Sequence, residues 1–164
     1  MQKNSSGLQL GEVQQPREFP GDALRAERRD RILTAARAWL GTPYHHHARV
    51  RGAGVDCGML LLAVYAEAGE IPEFDPGHYS PDWMLHRDED RYLAIVRSFA
   101  VPTDDPLPGD VAVFRFGRVT SHAGIVVDWP LMIHSYQPAG CVTVERVTDG
   151  PLESRLTGFW TVFR

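Results

Sequence analysis

Apolar residues recur at helical spacing through the first part of the chain and at strand-like density through the last, with the change falling at PLPGD (106–110). Ile32, Leu33, Ala36, Trp39 and Leu40 form one stripe, which predicts a helix from Ala23 to Leu40 with Asp22 as N-cap and Gly41 as the stop. A second helix should open at Asp56 or Cys57 and run to about Ala68, before Gly69. Its interior, MLLLAVYA, is apolar almost all round, as expected of a central buried helix. Tyr92, Ile95, Val96 and Phe99 share one face of a third helix spanning 88–99. Beyond it come five strand-like runs, at 110–116, 122–127, 131–136, 142–147 and 157–164. Helices followed by a run of antiparallel strands predict an α+β domain, its N-terminal helices packed on a sheet of about five strands. The HHHARVRGAGV stretch (45–55) and the IPEFDPGHYSPDW stretch (71–83) read as loops.

Composition narrows the class. The 164 residues suit a single domain at 22–164, preceded by a polar, extended arm at 1–21. A net charge of −4 argues against a nucleic-acid partner. No apolar run approaches the roughly 20 residues of a membrane span, and the MQKNSSGLQLGEVQQ start has no signal-peptide core. The expectation is synthesis in the cytoplasm without export by the usual secretory route. Cys57 and Cys141 form neither a Cys-x-x-Cys pair nor a zinc-type cluster, and the surroundings of Cys57 suggest a free thiol.

Chemistry concentrates on three residues. A cysteine that opens a buried helix faces the free amides and positive end of the helix dipole, which should lower its pKa below about 8.5. Cys57 stands there, directly after Asp56, although a buried cysteine is as readily inert packing. His122 and His134 lie symmetrically about Asp128, in the DWP turn between two apolar runs. A hairpin there sets both imidazoles on one face, at neighbouring positions of adjacent strands. One could act as general base for the thiol while the other orients it. His45, His46 and His47 cannot all reach one metal from a regular element, and nothing fixes His78 or His86 as further ligands. No metal or cofactor is therefore expected; one of the three should line a cleft beside Tyr44 and the others should be solvated. Trp83, Trp129 and Tyr79 read either as a sugar or peptide platform or as ordinary packing.

Pro43-Tyr44, Asp56-Cys57 at a helix start, Pro108-Gly109-Asp110, Ser121-His122-Ala123-Gly124-Ile125 and Ile133-His134 occur in an order and at spacings that resemble the NlpC-type cell-wall cysteine peptidases, over roughly 25–140. The resemblance implies a papain-like fold with Cys57 as nucleophile, His122 as base and His134 as its orienting partner. It also implies that Tyr44, Asp56 and the backbone at Gly58 contribute to the oxyanion and substrate site, with His46, His47, Ser121 and Trp83 along the cleft. The substrate implied is the peptide stem of bacterial peptidoglycan. Gly58-Met59 departs from the usual small residue and glycine after the nucleophile, which bears on the width of the cleft. The His-rich loop and the DPGHYSPDW segment resemble the subgroup encoded among phage and prophage tail-tip genes. That implies a virion-tail enzyme made in the host cytoplasm and acting on the wall at delivery, with the arm strapped to other tail-tip or hub proteins. A structural tail component with little activity and a contact-delivered wall-degrading toxin are the alternatives.

Overall fold

The computed structural model describes residues 20–79 and 91–163. Most of the expected arm, together with Trp83, His86 and the 88–90 start of the third expected helix, lies outside the described residues. Among the described residues there are three α-helices: α1 (Pro20–Ala38), α2 (Cys57–Glu67) and α3 (Arg91–Phe99). Two short strands, β1 (Arg49–Val50) and β2 (Gly54–Val55), pair within the first loop. The main sheet contains β3 (Val101–Thr103), β4 (Val111–Phe116), β5 (Val119–Asp128), β6 (Leu131–Tyr136), β7 (Cys141–Arg146) and β8 (Leu156–Thr161). Its order is β3-β8-β4-β5-β6-β7, antiparallel throughout. Among the described residues, no helix is long and apolar enough to cross a membrane.

The sheet agrees with the expected five or so strands, the sixth being β3, which pairs along β8 and forms one edge. Pro102 hides β3 from a sequence reading, since proline is tolerated in a strand mainly at such an edge. Helix α1 ends two residues earlier than its stripe predicts. Trp39 and Leu40 turn back onto the carbonyls of Ala36 and Arg37, which leaves Leu40 exposed rather than in the core.

Both faces of the sheet are covered. Val111, Val113, Ala123, Ile125 and Ile133 point toward the helices and share a core with Ile32, Leu60, Val64 and Tyr65. Ala112, Phe114, Val126 and Met132 point the other way, onto Val147 and Leu152. Strands buried on both faces carry apolar residues at successive positions, so β4 and β5 show no alternation.

The turn that starts β4 is tied to both long helices. Tyr65 Oη donates to the Gly109 carbonyl at 2.8 Å, and Arg29 donates to the Pro108 carbonyl at 2.6 Å and to Asp110 Oδ1 at 2.9 Å. Asp110 is only 1% exposed and also accepts from the Leu107 amide at 2.9 Å. Removing one member of a buried ion pair leaves an uncompensated charge, at a cost of about 3–5 kcal/mol. Arg29→Ala should therefore lose about 3 kcal/mol of stability in urea denaturation, at the lower end of that range because Arg29 is partly exposed. A loss below about 1 kcal/mol would show that this pair does not anchor the sheet.

Candidate active site

Asp56 organises the start of α2. Its Oδ1 accepts from the Met59 amide at 2.9 Å, as an N-cap should. Its Oδ2 accepts from the His47 amide at 2.8 Å and from Tyr79 Oη at 2.6 Å. One buried carboxylate thus joins the helix, the histidine loop and the segment at 77–79. His47 takes φ of 58°, a left-handed conformation that a non-glycine residue adopts at a cost, offset here by that amide bond. His46 Nε2 donates to the Tyr79 carbonyl at 3.0 Å, and His47 Nε2 to the Gly77 carbonyl at 3.1 Å. Only His45 of the three is exposed, so the expectation of two solvated histidines fails for His47.

Cys57 begins the helix and stands at one side of a pocket of about 90 Å³. Tyr44, His46, Asp56, Gly58, Tyr79, Tyr92 and Ser121 supply its polar lining, with an apolar wall from Leu61, Leu62, Ile95, Val96 and Phe99. The thiol donates to the Ser121 carbonyl at 3.7 Å, and the Ala123 and Gly58 amides and the Tyr92 hydroxyl approach the sulfur. Met59 is only 5% exposed and packs into the core, so its bulk does not line the pocket.

The thiol is not activated in the way a helix N-terminus alone would predict. Burial, followed by the neighbouring Asp56 charge, pushes Cys57 up to about 12, against the smaller opposing effects of Tyr92, Ala123 and Gly58. Desolvating a thiolate costs more here than the first-turn amides return. Cys57 therefore rests as a neutral thiol, and a general base must take its proton. Tyr44 is likewise pushed up to about 12, by burial and then by the Cys57 and Asp56 charges, and stays a neutral donor.

His122 and His134 are in contact, His122 Nε2 lying 2.9 Å from His134 Nδ1. The contact is diagonal rather than directly across, since the β5–β6 ladder pairs Ile125 with Ile133 and Val126 with Met132. Gly124 makes it possible: a Cβ there would fall 3.2 Å from that of His134 and 2.5 Å from Met132 Sδ. The pair shares the sheet face of Phe114, with Tyr136 stacked on His134 at 5.0 Å and Phe116 edge-on to His122 at 6.0 Å. Cys57 packs from the helix side and bonds the backbone at 121 and 123, on either side of His122. Among the described residues no hydrogen bond joins Cys57 to the His122 ring; the two halves of the site meet at one three-residue stretch of β5.

Sequence reasoning missed three participants. Tyr92 was read as one apolar position of a helical stripe, yet its hydroxyl reaches the thiol. Arg91, at the start of α3, lines the pocket and donates to the His78 carbonyl at 3.5 Å and to that of Pro76. Glu145 Oε2 lies 3.0 Å from His134 Nε2. Its signal was an acidic residue alternating with Thr143 on the strand after the histidine hairpin. Trp129 packs edge-on to Phe159 at 4.7 Å, away from the pocket. Both cysteines are free.

A capped helix whose first residue is a cysteine, laid against a hairpin that carries a histidine pair, defines a papain-like α+β domain. The NlpC/P60 family model matches residues 41–161, and the chain belongs to that family, whose members are cysteine peptidases and amidases acting on peptidoglycan. The fold is similar to the NlpC/p60 domain of the peptidoglycan hydrolase SagA, with a TM-score of 0.53 at 20% identity over 81% of this chain and 97% of that one. The peptidoglycan hydrolase RipB from Mycobacterium tuberculosis gives 0.55 at 20% identity, over 88% and 71%. An NlpC/P60 family protein from Bacillus cereus gives 0.60 at 18% identity, over 83% of this chain but only 40% of its own length. At these identities the likeness carries the fold. No curated protein matches the chain.

Burial holds both histidines neutral, His122 well below the usual 6.5 and His134 at about 4. In the unfolded chain each would take up a proton near pH 6.5, so the unfolded state binds more protons below that pH. Stability should be full above pH 6.5 and fall toward pH 4, by about 3 kcal/mol from His134 alone. Glu145, raised by burial, works weakly in the opposite sense. Urea titrations across this range should show the fall, and His134→Gln should flatten it; a pH-independent midpoint in the native protein would contradict the buried neutral pair.

Proposed function

We propose that the protein hydrolyses an amide bond in the peptide stem of bacterial peptidoglycan through a thioester on Cys57. The observation that carries this reading is the thiol's contact with the backbone flanking His122, in a chain of the NlpC/P60 family. Substrate entering the pocket displaces the Cys57 thiol from the Ser121 carbonyl. The His122 ring faces the other side of β5 at rest, so the mechanism requires the substrate complex to bring sulfur and imidazole together. Catalytic hydrogen bonds commonly tighten only in the substrate complex. His122 takes the thiol proton as sulfur attacks the carbonyl carbon. The oxyanion is met by backbone amides at Cys57 and Gly58 and by the Tyr44 phenol. Collapse expels the amine, which receives the proton from His122. Water, deprotonated in turn by His122, attacks the thioester and frees the acid and the thiol.

The finer reading places this enzyme in a phage tail tip, made in the host cytoplasm and carried to the wall of the next cell, with residues 1–21 as the strap to neighbouring tail proteins. The resemblance of the 45–47 loop and the 75–83 segment to tail-encoded relatives supports it, as does the polar character of the strap. A purely structural tail component is the reading that the altered residues after Cys57 would favour; against it, Met59 packs into the core rather than lining the pocket.

Purified peptidoglycan should be cleaved by the native protein and not by Cys57→Ala, with product masses naming the bond. His122→Ala should lose activity by at least about a hundredfold and His134→Ala by less, since it orients rather than transfers the proton. Equal activity in all three variants would sink the mechanism. Because His122 stays neutral well below its usual value, the acid limb of kcat/KM should lie below pH 6.5. Mass spectrometry of purified virions tests the tail assignment; absence of the protein from particles would remove it.

A further inference from the structure

The histidine pair continues into a third residue. Strand β7 pairs with β6 so that Thr143 faces His134 and Glu145 faces Met132, which puts Glu145 on the same sheet face as the imidazoles. From there Glu145 Oε2 comes to 3.0 Å from His134 Nε2, close but not aligned as a hydrogen bond, so that the buried Nε2 has no hydrogen-bond partner among the described residues, while His134 Nδ1 is 2.9 Å from His122 Nε2. His134 is fully buried, and Glu145 retains partial exposure. The groups facing the chain of contacts are His122 from β5, Tyr136 from β6, Glu145 from β7, and Arg155, which lies over the Phe116 ring at 4.5 Å and acts on Tyr136. Among these, Glu145 is the one acceptor-only group at the outer end. Gly150 keeps the approach open, since a Cβ there would stand 3.1 Å from Glu145 Oε1.

We propose that Glu145 is a positioning residue that sets the direction of the histidine pair. A carboxylate accepts only, and a small turn of the Glu145 side chain aligns it on the one ring nitrogen of His134 left without a partner, so His134 carries its proton on Nε2 and presents Nδ1 as an acceptor. His122 must then donate from Nε2, which leaves Nδ1 of His122 as its basic nitrogen. Without Glu145 the inner bond can form in either direction, and the reversed direction places a hydrogen on His122 Nδ1 and removes the base. The catalytic meaning of this ordering rests on the hydrolase reading above; the ordering itself does not.

Long-range proton–nitrogen spectra of the ¹⁵N-labelled full chain at pH 7, with His122→Gln and His134→Gln for assignment, read both tautomers directly. Both rings should carry hydrogen on Nε2. Glu145→Ala should give mixed tautomers at both rings and a kcat lower by about tenfold with KM unchanged. Glu145→Gln, whose amide oxygen still accepts, should keep the tautomers and recover part of kcat. Hydrogen on His134 Nδ1 in the native protein would overturn the inference, as would a Glu145→Ala protein with unchanged tautomers and kcat. If the native protein shows both predicted tautomers but cleaves no peptidoglycan, the ordering stands and the hydrolase reading falls.

Discussion

Strand β5 sends side chains into two cores at once, and that double burial fixes everything around it. Ala123 and Ile125 are held against α2 while the alternating residues His122, Gly124 and Val126 are held against the opposite layer. Neither side can slip by one residue without exchanging two buried sets. The thiol and the base therefore need no shared loop to set their relative position. Helix α2 delivers Cys57 to the backbone at 121 and 123, and the pleat of the same strand aims the imidazole.

The other fixed point is the Asp56 carboxylate. A cap that served α2 alone would need a single amide, whereas Asp56 also holds His47 and Tyr79. The arrangement raises the resting cost of a thiolate at Cys57, because a buried negative charge sits on the adjacent residue. Structural order at the helix start and ready ionisation of the nucleophile are thus in conflict. A base that remains unprotonated in acid, as burial makes His122, is the complementary property.

Much of this arrangement was legible in the sequence where periodicity or capping dictates it. The start of α2 at Asp56 or Cys57, its wholly apolar interior and the shared face of the histidines follow from local rules. The register of the hairpin did not, since counting from Asp128 assumes a symmetrical turn and the ladder is irregular between Val126 and Asp128. Nor did the state of the thiol, because a local dipole argument leaves out the layers that desolvate it. Tyr92 and Glu145 were hidden for a related reason: each is an ordinary member of a helix stripe or a strand alternation, and only the long-range packing of α3 and β7 brings its polar tip to the site.

Four of the histidines form two pairs that respond to acid in opposite ways. His46 and His47 grip carbonyl oxygens, which ask only for an N–H, and both protonation states of an imidazole possess one. His122 and His134 grip each other, and that bond needs one ring nitrogen kept bare. In an acidifying surrounding the pocket's rim would stay fastened while the bond behind the base came apart. The domain would lose its chemistry before it lost the shape of its entrance.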